Sequence, residues 1–392
     1  MRVRVGLEVL LSDPPRWLRG RRVGLLSHQA ATTADLRPAH LVLREALGKN
    51  LVRLFAPQHG FYGTAQANMI PGEDHRDPLT GVPVVSLYGP RLKPSPEHLA
   101  DLDLLLVDLV DVGCRVYTYL WTLFLTLEAA EKAGVEVVVL DRPNPLGGWL
   151  EGPVLSPDLF SFVGLCEMPL RHGLTPAEAA LLFRKRRGLS LTLRVVRAEG
   201  WRRDQLFGET GLPWVPPSPN MPSFETALVY PGQVLLEGTN LSEGRGTTRP
   251  FELFGAPWLR PERVLSALEE KPPGVVLRPT AFRPAFDKWK DRTCFGFQLH
   301  VLDPRIFRPV RTTLLLLRAI ARTHEEFAFR PSPYEFEEKK LPIEIIFGHR
   351  DIVYFIVGKR EWGDLDFWEK GGLTYYANET ASLALYEGGF FL

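Results

Sequence analysis

The sequence predicts an α/β protein with a three-layer first domain over residues 1–150 and a smaller α+β domain over residues 151–392. Three observations carry this. Wholly apolar runs recur between amphipathic stretches in the first 150 residues, as expected of strands buried on both faces of a parallel sheet. From Glu151 onward, proline and glycine thicken and the connections read as irregular. The chain's 392 residues also exceed what one core usually supports, about 250–300 residues.

Five strands are expected in the first domain: Arg22–Ser27, Leu51–Ala56, Val84–Leu87, Leu102–Asp108 and Val135–Asp141. A helix is expected over Tyr119–Ala133, closed by Gly134 at its C-terminus. Strands alternating with helices in this way make the domain Rossmann-like. No GxGxxG follows the first strand and no P-loop lysine motif occurs, which disfavours a dinucleotide or nucleoside triphosphate. Instead the strand ends carry polar groups: His28 and Gln29, Gln58 and His59, Asp108 and Asp111, and Asp141 to Asn144. Open α/β sheets bind ligands at that edge. In the second domain, helices are expected at Thr175–Arg187, with Thr175 as N-cap and Pro176 in the first turn, and at Pro261–Glu270. Strands are expected at Leu191–Val196, Phe295–Val301 and Ile352–Val357.

A formal net charge of +1 leaves no electrostatic footprint for nucleic acid or an acidic membrane, and neither is expected as a partner. The opening apolar run, before Ser12-Asp13-Pro14-Pro15, is short for a secretory signal, so the chain as given reads as cytoplasmic; removal of a leader would make it secreted. Cys114, Cys166 and Cys294 are odd in number and form no CxxC pair, so they read as small core residues. Glu73-Asp74-His75, with His28, His59 and Asp77, lack the ligand spacing of a zinc site, and neither a metal nor another cofactor is expected. No GxSxG surrounds Ser27 or Ser242, so a serine nucleophile has no support either.

Several stretches carry candidate chemistry. Ala56–Gly63 (APQHGFYG) sets Gln58 and His59 at the mouth of the sheet between residues that let a ligand approach; an ordinary strand-to-loop turn is the competing reading. Asp108 and Asp111 follow a buried strand, with Arg115 as an available partner and Tyr117 beyond; they read as catalytic carboxylates or as a structural ion pair and N-cap. Asn144 sits between prolines in a rigid turn ahead of Glu151, where the domains are expected to join. The run Leu236–Trp258, LEGTNLSEGRGTTRPFELFGAPW, is the densest. Arg245 and Arg249 offer planar forks for a carboxylate, Glu237 and Glu243 can orient them, and Asn240 and Thr247, with Asn220 upstream, supply neutral donors and acceptors. Such a loop suits a small, hydroxylated or acidic ligand.

At these residues the sequence resembles the exo-β-N-acetylmuramidases of the NamZ type, long grouped as a domain of unknown function. The resemblance rests on Gly81–Gly89, Asp108–Tyr119, Leu140–Gly148, Glu151–Leu155, Phe162–Leu165, Leu170–Thr175, Pro216–Met221, Tyr230-Pro231-Gly232 and Glu237–Ala256. It implies a Rossmann-like domain and a smaller α+β domain enclosing a cleft, and release of N-acetylmuramic acid from the non-reducing end of peptidoglycan fragments. The implied partner is a peptidoglycan-derived sugar or muropeptide, its lactyl carboxylate suited to Arg245 or Arg249. The matching block Leu170–Thr175 also brings Arg171 and His172 into the candidate substrate-binding site, where Glu73 is expected as well.

Two positions depart from the family pattern. Where the family carries Pro-Glu-His-Gly, with the glutamate as its proposed acid/base, this chain has Pro57-Gln58-His59-Gly60; Ser27-His28-Gln29-Ala30 replaces a Thr-Asn-like turn. Glutamine moves no proton at neutral pH, and general acid–base help is worth roughly 10²–10⁴-fold. Three explanations follow. Another carboxylate among Asp108, Asp111, Glu73 and Glu243 takes the role, the sugar's own acetamido group serves as nucleophile, or the protein is a non-catalytic amino-sugar-binding protein.

Overall fold

The computed structural model describes residues 2–66 and 69–392, with all side chains in these ranges except those of residues 366–369. Its first sheet has seven strands: β1 (Val23–Ser27), β2 (Leu51–Ala56), β3 (His75–Arg76), β4 (Pro83–Ser86), β5 (Leu104–Asp108), β6 (Glu136–Leu140) and β7 (Leu193–Val196). The order is β3-β4-β2-β1-β5-β6-β7, parallel throughout except for β3, which runs antiparallel to β4. β1 and β5 are buried at every residue, which explains their unbroken apolar sequence.

Alternate residues feed two cores. Leu105, Val107, Val137 and Val139 face one layer, where helices Tyr119–Ala133 and Pro176–Arg187 pack; Leu104, Leu106, Val138 and Leu140 face the other, with helices Gly6–Ser12 and Ala39–Leu47. The protein is therefore the expected three-layer α/β structure on this side. The helix ends are where local chemistry puts them: Gly134 closes the first of these helices with φ 68°, and Thr175 accepts from the Glu178 amide as N-cap.

The second, smaller sheet is antiparallel, with β8 (Leu253–Ala256), β9 (Val275–Phe282) and β10 (Cys294–Val301) in the order β8-β10-β9. Helix Pro309–Thr323 lies buried near it against helix Phe224–Gln233. The latter approaches so closely that a Cβ on Gly232 would lie 1.9 Å from the Pro309 carbonyl oxygen. The core of the first domain runs without a break into this half.

Three expectations need correction. The large sheet continues past residue 150, because Leu193–Val196 pairs with β6 rather than with the second domain. Residues 352–357 are not a strand: Ile352–Ile356 is a short helix that buries Ile352, Phe355 and Ile356, a spacing of three and four residues that a short β-branched run disguises. Helix Pro261–Ala267 stops three residues early. All three cysteines are free and buried. Among the described residues no helix is long and apolar enough to cross a membrane.

The end of the chain returns to the first half. Phe391 exchanges backbone hydrogen bonds with Gly148 and Leu150 (3.0 and 2.7 Å) and stacks on Trp149 with ring centres 4.6 Å apart.

Candidate functional site

At the C-terminal edge of the parallel sheet lies a small cavity lined mainly by polar and aromatic side chains. Gln58 and His59 reach it from the end of β2, and Tyr117, Thr118 and Tyr119 from the turn that opens helix Tyr119–Ala133. Ser218 and Asn220 line it from the proline-rich segment, and Tyr230, Glu237, Arg245, Tyr334 and Glu335 from the second half. The site thus joins residues from both halves of the sequence.

Glu335 is the centre of its polar network. Its Oε1 accepts from Gln58 Nε2 (3.1 Å) and its Oε2 from the Tyr88 hydroxyl (2.7 Å). Gln58 also donates to Tyr88 Oη (3.0 Å), while its Oε1 accepts from the Thr118 hydroxyl (2.5 Å). Thr118 thereby turns the amide so that its NH₂ faces the carboxylate. Burial pushes the Glu335 carboxyl up to about 7, against the pull of the Tyr88 hydrogen bond and with help from the Glu237 charge. A carboxylic acid in this range holds a proton near neutral pH and can release it. Glu335 and Phe336 both have positive φ (45° and 66°), a conformation that costs a non-glycine residue about 1–2 kcal/mol and here aims the carboxyl inward.

His59 is buried, with Nδ1 donating to the Ala65 carbonyl (2.7 Å), and burial lowers its pKa to about 4. It is therefore neutral and leaves Nε2 as an acceptor. Arg245 is clamped: Nη2 donates to Glu237 Oε1 (2.7 Å), Nε lies 3.2 Å from Glu243, and Lys288 holds the other Glu243 oxygen at 2.7 Å. Tyr334 donates to the second Glu237 oxygen (2.7 Å). Gly244 and Gly246 flank Arg245 with φ 76° and 79°, and a Cβ at either would meet backbone within 2.5 and 2.7 Å. The glycines of the dense loop fix one arginine in place.

Two family descriptions match this chain: exo-β-N-acetylmuramidase NamZ, N-terminal, over residues 23–225, and its C-terminal counterpart over residues 228–386. The chain belongs to the exo-β-N-acetylmuramidase NamZ family. It is 44% identical over 333 residues to the peptidoglycan β-N-acetylmuramidase NamZ of Bacillus subtilis (strain 168), covering 84% of this chain and 80% of that one. A DUF1343 family protein from Bacteroides fragilis NCTC 9343 superposes with a TM-score of 0.87 at 32% identity, covering 98% of this chain and 99% of that one. A second from the same organism has the same fold (TM-score 0.77, 24% identity, 99% and 100% covered).

Of the expected site residues, Gln58, His59, Tyr117, Asn220, Glu237 and Arg245 meet in this cavity, and Glu243 stands behind Arg245. Asn220 donates to the Gln66 carbonyl (2.9 Å). Arg249 does not join them. It lies beyond Gly246 on the outside of the loop, its side chain 50% exposed and 3.4 Å from Glu252. Thr247 closes the same turn on the Gly244 carbonyl, and Asn240 ties the loop to Glu326 and Ala328.

The two aspartates do other work. Asp108 is fully buried in an ion pair with Arg142 (2.5 and 2.9 Å), not with Arg115. Arg115 instead donates to the carbonyls of Pro153, Met168 and Ile346. Asp111 accepts from the Gly113 amide (2.7 Å), contacts His172 (3.1 Å) and faces a separate cavity with Arg142 and Trp214. Arg171 donates to the Leu146 carbonyl, Asn144 bridges Leu146 and Leu174, and Glu151 accepts from the Arg311 amide. These residues build the frame around the cavity. Glu73 is exposed and does not line it.

Glu335, Tyr334, Tyr88, Thr118 and Tyr230 were not among the expected site residues. Tyr88 lies inside the Gly81–Gly89 block that resembles the family. Glu335 had no such signal: it is one acid among several in PSPYEFEEKK.

Proposed function

We propose that this protein is an exo-acting β-N-acetylmuramidase that removes N-acetylmuramic acid from the non-reducing end of peptidoglycan fragments. Membership of the family and the activity named for the Bacillus subtilis relative support the substrate class. The observation that carries the chemistry is Glu335, a buried carboxyl poised near neutrality on the wall of that cavity and hydrogen-bonded to Gln58 and Tyr88. It gives its proton to the glycosidic oxygen as the bond to the anomeric carbon breaks, then recovers one from the incoming water. Gln58 holds the carboxyl by a neutral amide contact and transfers no proton itself.

The other roles follow from geometry. Arg245 presents a guanidinium to the lactyl carboxylate of the sugar; its flanking glutamates fix the fork's orientation. His59 Nε2 and the Asn220 side chain face sugar hydroxyls. The activity named for the Bacillus subtilis relative gives no support to a simple amino-sugar binder.

The test is release of chromophore from a 4-nitrophenyl β-N-acetylmuramide by the purified protein. Release that disappears in Glu335→Gln, while that variant still binds muramic acid, is the expected result. Failure of the wild-type protein to release any chromophore, with muramic acid bound, would establish the binder instead.

A further inference from the structure

Glycosidases that use protein groups alone need two working carboxyls, about 5–5.5 Å apart for retention and about 6.5–9.5 Å for inversion. Among the described residues lining this cavity, the carboxyl side chains are Glu237 and Glu335. Glu237 is occupied at both oxygens, by the Arg245 guanidinium and by the Tyr334 hydroxyl, each at 2.7 Å. Drawing it into nucleophilic or base chemistry means breaking a buried ion pair. Gln58, beside Glu335, is an amide and can be neither nucleophile of this kind nor base. One proton-transferring carboxyl is present, and its usual companion has no protein candidate.

Tyr117 supplies the second observation. It lines the same cavity, is 6% exposed, and its hydroxyl interacts with those of Tyr119 and Ser218 but has no well-aligned hydrogen-bond partner. A buried hydroxyl whose contacts are poorly aligned is only weakly satisfied, and a ligand group that meets it squarely is correspondingly favoured. An acetamido group offers both an N–H and a carbonyl to a hydroxyl that can donate and accept.

We propose that the substrate's own 2-acetamido group is the nucleophile, and that Tyr117 is the positioning residue that holds it against the anomeric carbon. This rests on the glycosidase reading above. In the first step the acetamido carbonyl oxygen forms a bond to C1 while the C1–O glycosidic bond breaks. The bonding pair leaves with the aglycone oxygen, which takes the Glu335 proton, and a cyclic oxazolinium ion remains beside the Glu335 carboxylate. In the second step water adds to C1 from the face the aglycone vacated and gives a proton to Glu335. The C1–O bond of the ring breaks, its electron pair returning to the acetamide. One water is consumed, the anomeric configuration is retained, and no protein–sugar bond forms.

Three measurements test it together. Proton NMR of freshly cleaved substrate should show the β-anomer of the released sugar first. A substrate with a trifluoroacetamido group should turn over at least 100-fold more slowly than its acetamido parent. Tyr117→Phe should lower kcat at least 10-fold on the parent, yet leave the Kd of an analogue with hydroxyl in place of acetamido unchanged, a pattern that general structural damage does not produce. Initial release of the α-anomer, or a 2-fluoro sugar trapped as an ester on a protein carboxylate, would overturn the inference and leave the glycosidase reading standing. No cleavage of any muramide by the wild-type protein would overturn both.

Discussion

Two buried carboxyls in this protein are pushed up to about 7, and they do opposite things. Asp141, at the end of β6, is raised by burial, but its oxygens are filled: Thr175 and Tyr386 hydroxyls donate at 2.8 and 2.6 Å, and the Ala177 amide at 2.9 Å. Those contacts pin the start of helix Pro176–Arg187 and the chain's last segment to the sheet. Glu335 is raised by burial too, but its donors are the Gln58 amide and the Tyr88 hydroxyl, and its carboxyl lines a cavity. A shifted titration therefore marks neither site nor scaffold by itself. What separates the two is whether a ligand can reach the proton.

The largest effect that can break this contrast is on catalysis. Glu335→Gln should reduce kcat by roughly 10²–10⁴-fold, measured in steady state. For the wild type, activity should fall as pH rises through about 7, where Glu335 loses its proton. Stability moves with the same sign. The folded pKa lies above the ordinary 4.5, so the folded state binds the extra proton. That contribution is complete below about pH 4.5 and lost as pH rises to about 7. Glu335→Gln should accordingly melt no lower than the wild type at pH 8, and a lower melting temperature would place Glu335 with the scaffold.

Asp141→Ala is the converse, with an expected loss of about 1–3 kcal/mol for each buried donor left without an acceptor, read by denaturant unfolding. The folded fraction should keep its kcat. A kcat loss without a stability loss would put Asp141 in the chemistry.

Gln58→Glu sharpens the comparison more gently. It sets a second carboxyl against Glu335, so the pair should titrate in two coupled steps separated by more than about one pH unit, with the alkaline limb of kcat/KM moved upward. An unchanged profile would mean the Gln58 contact does not govern the Glu335 proton. The smallest effect is expected from Arg249→Ala: being half exposed, it should alter stability by no more than about 0.5 kcal/mol and leave KM for a muramide unchanged. A raised KM would restore the two-arginine anchor.

The sheet was readable because parallel strands buried on both faces need apolar runs, and β1 and β5 are such runs while β2 departs from the pattern at the half-buried Arg53. Caps at Thr175 and Gly134 were readable because their chemistry is local. The site was only half readable. Gln58 and Glu335 touch across 277 residues of sequence, and nothing near Glu335 distinguishes it from the acids around it. Asp108 looked catalytic because a buried aspartate at a strand end demands a partner, but that partner, Arg142, comes from the next strand's loop rather than from nearby Arg115. Arg245 and Arg249 differ only in which side of a left-handed glycine they occupy, and a one-dimensional pattern does not record sides.

The docking of the final residues sets a limit on dissection. Phe391 is stitched to Gly148 and Leu150, and Tyr386 supplies the shortest contact to Asp141. A fragment ending near residue 225 would thus be missing its own clasp, with Trp149 bared and the anchor of a helix loosened. Anyone wishing to express the nucleotide-fold-like half alone would do better to graft residues 385–392 back onto it through a linker than to cut at the apparent seam.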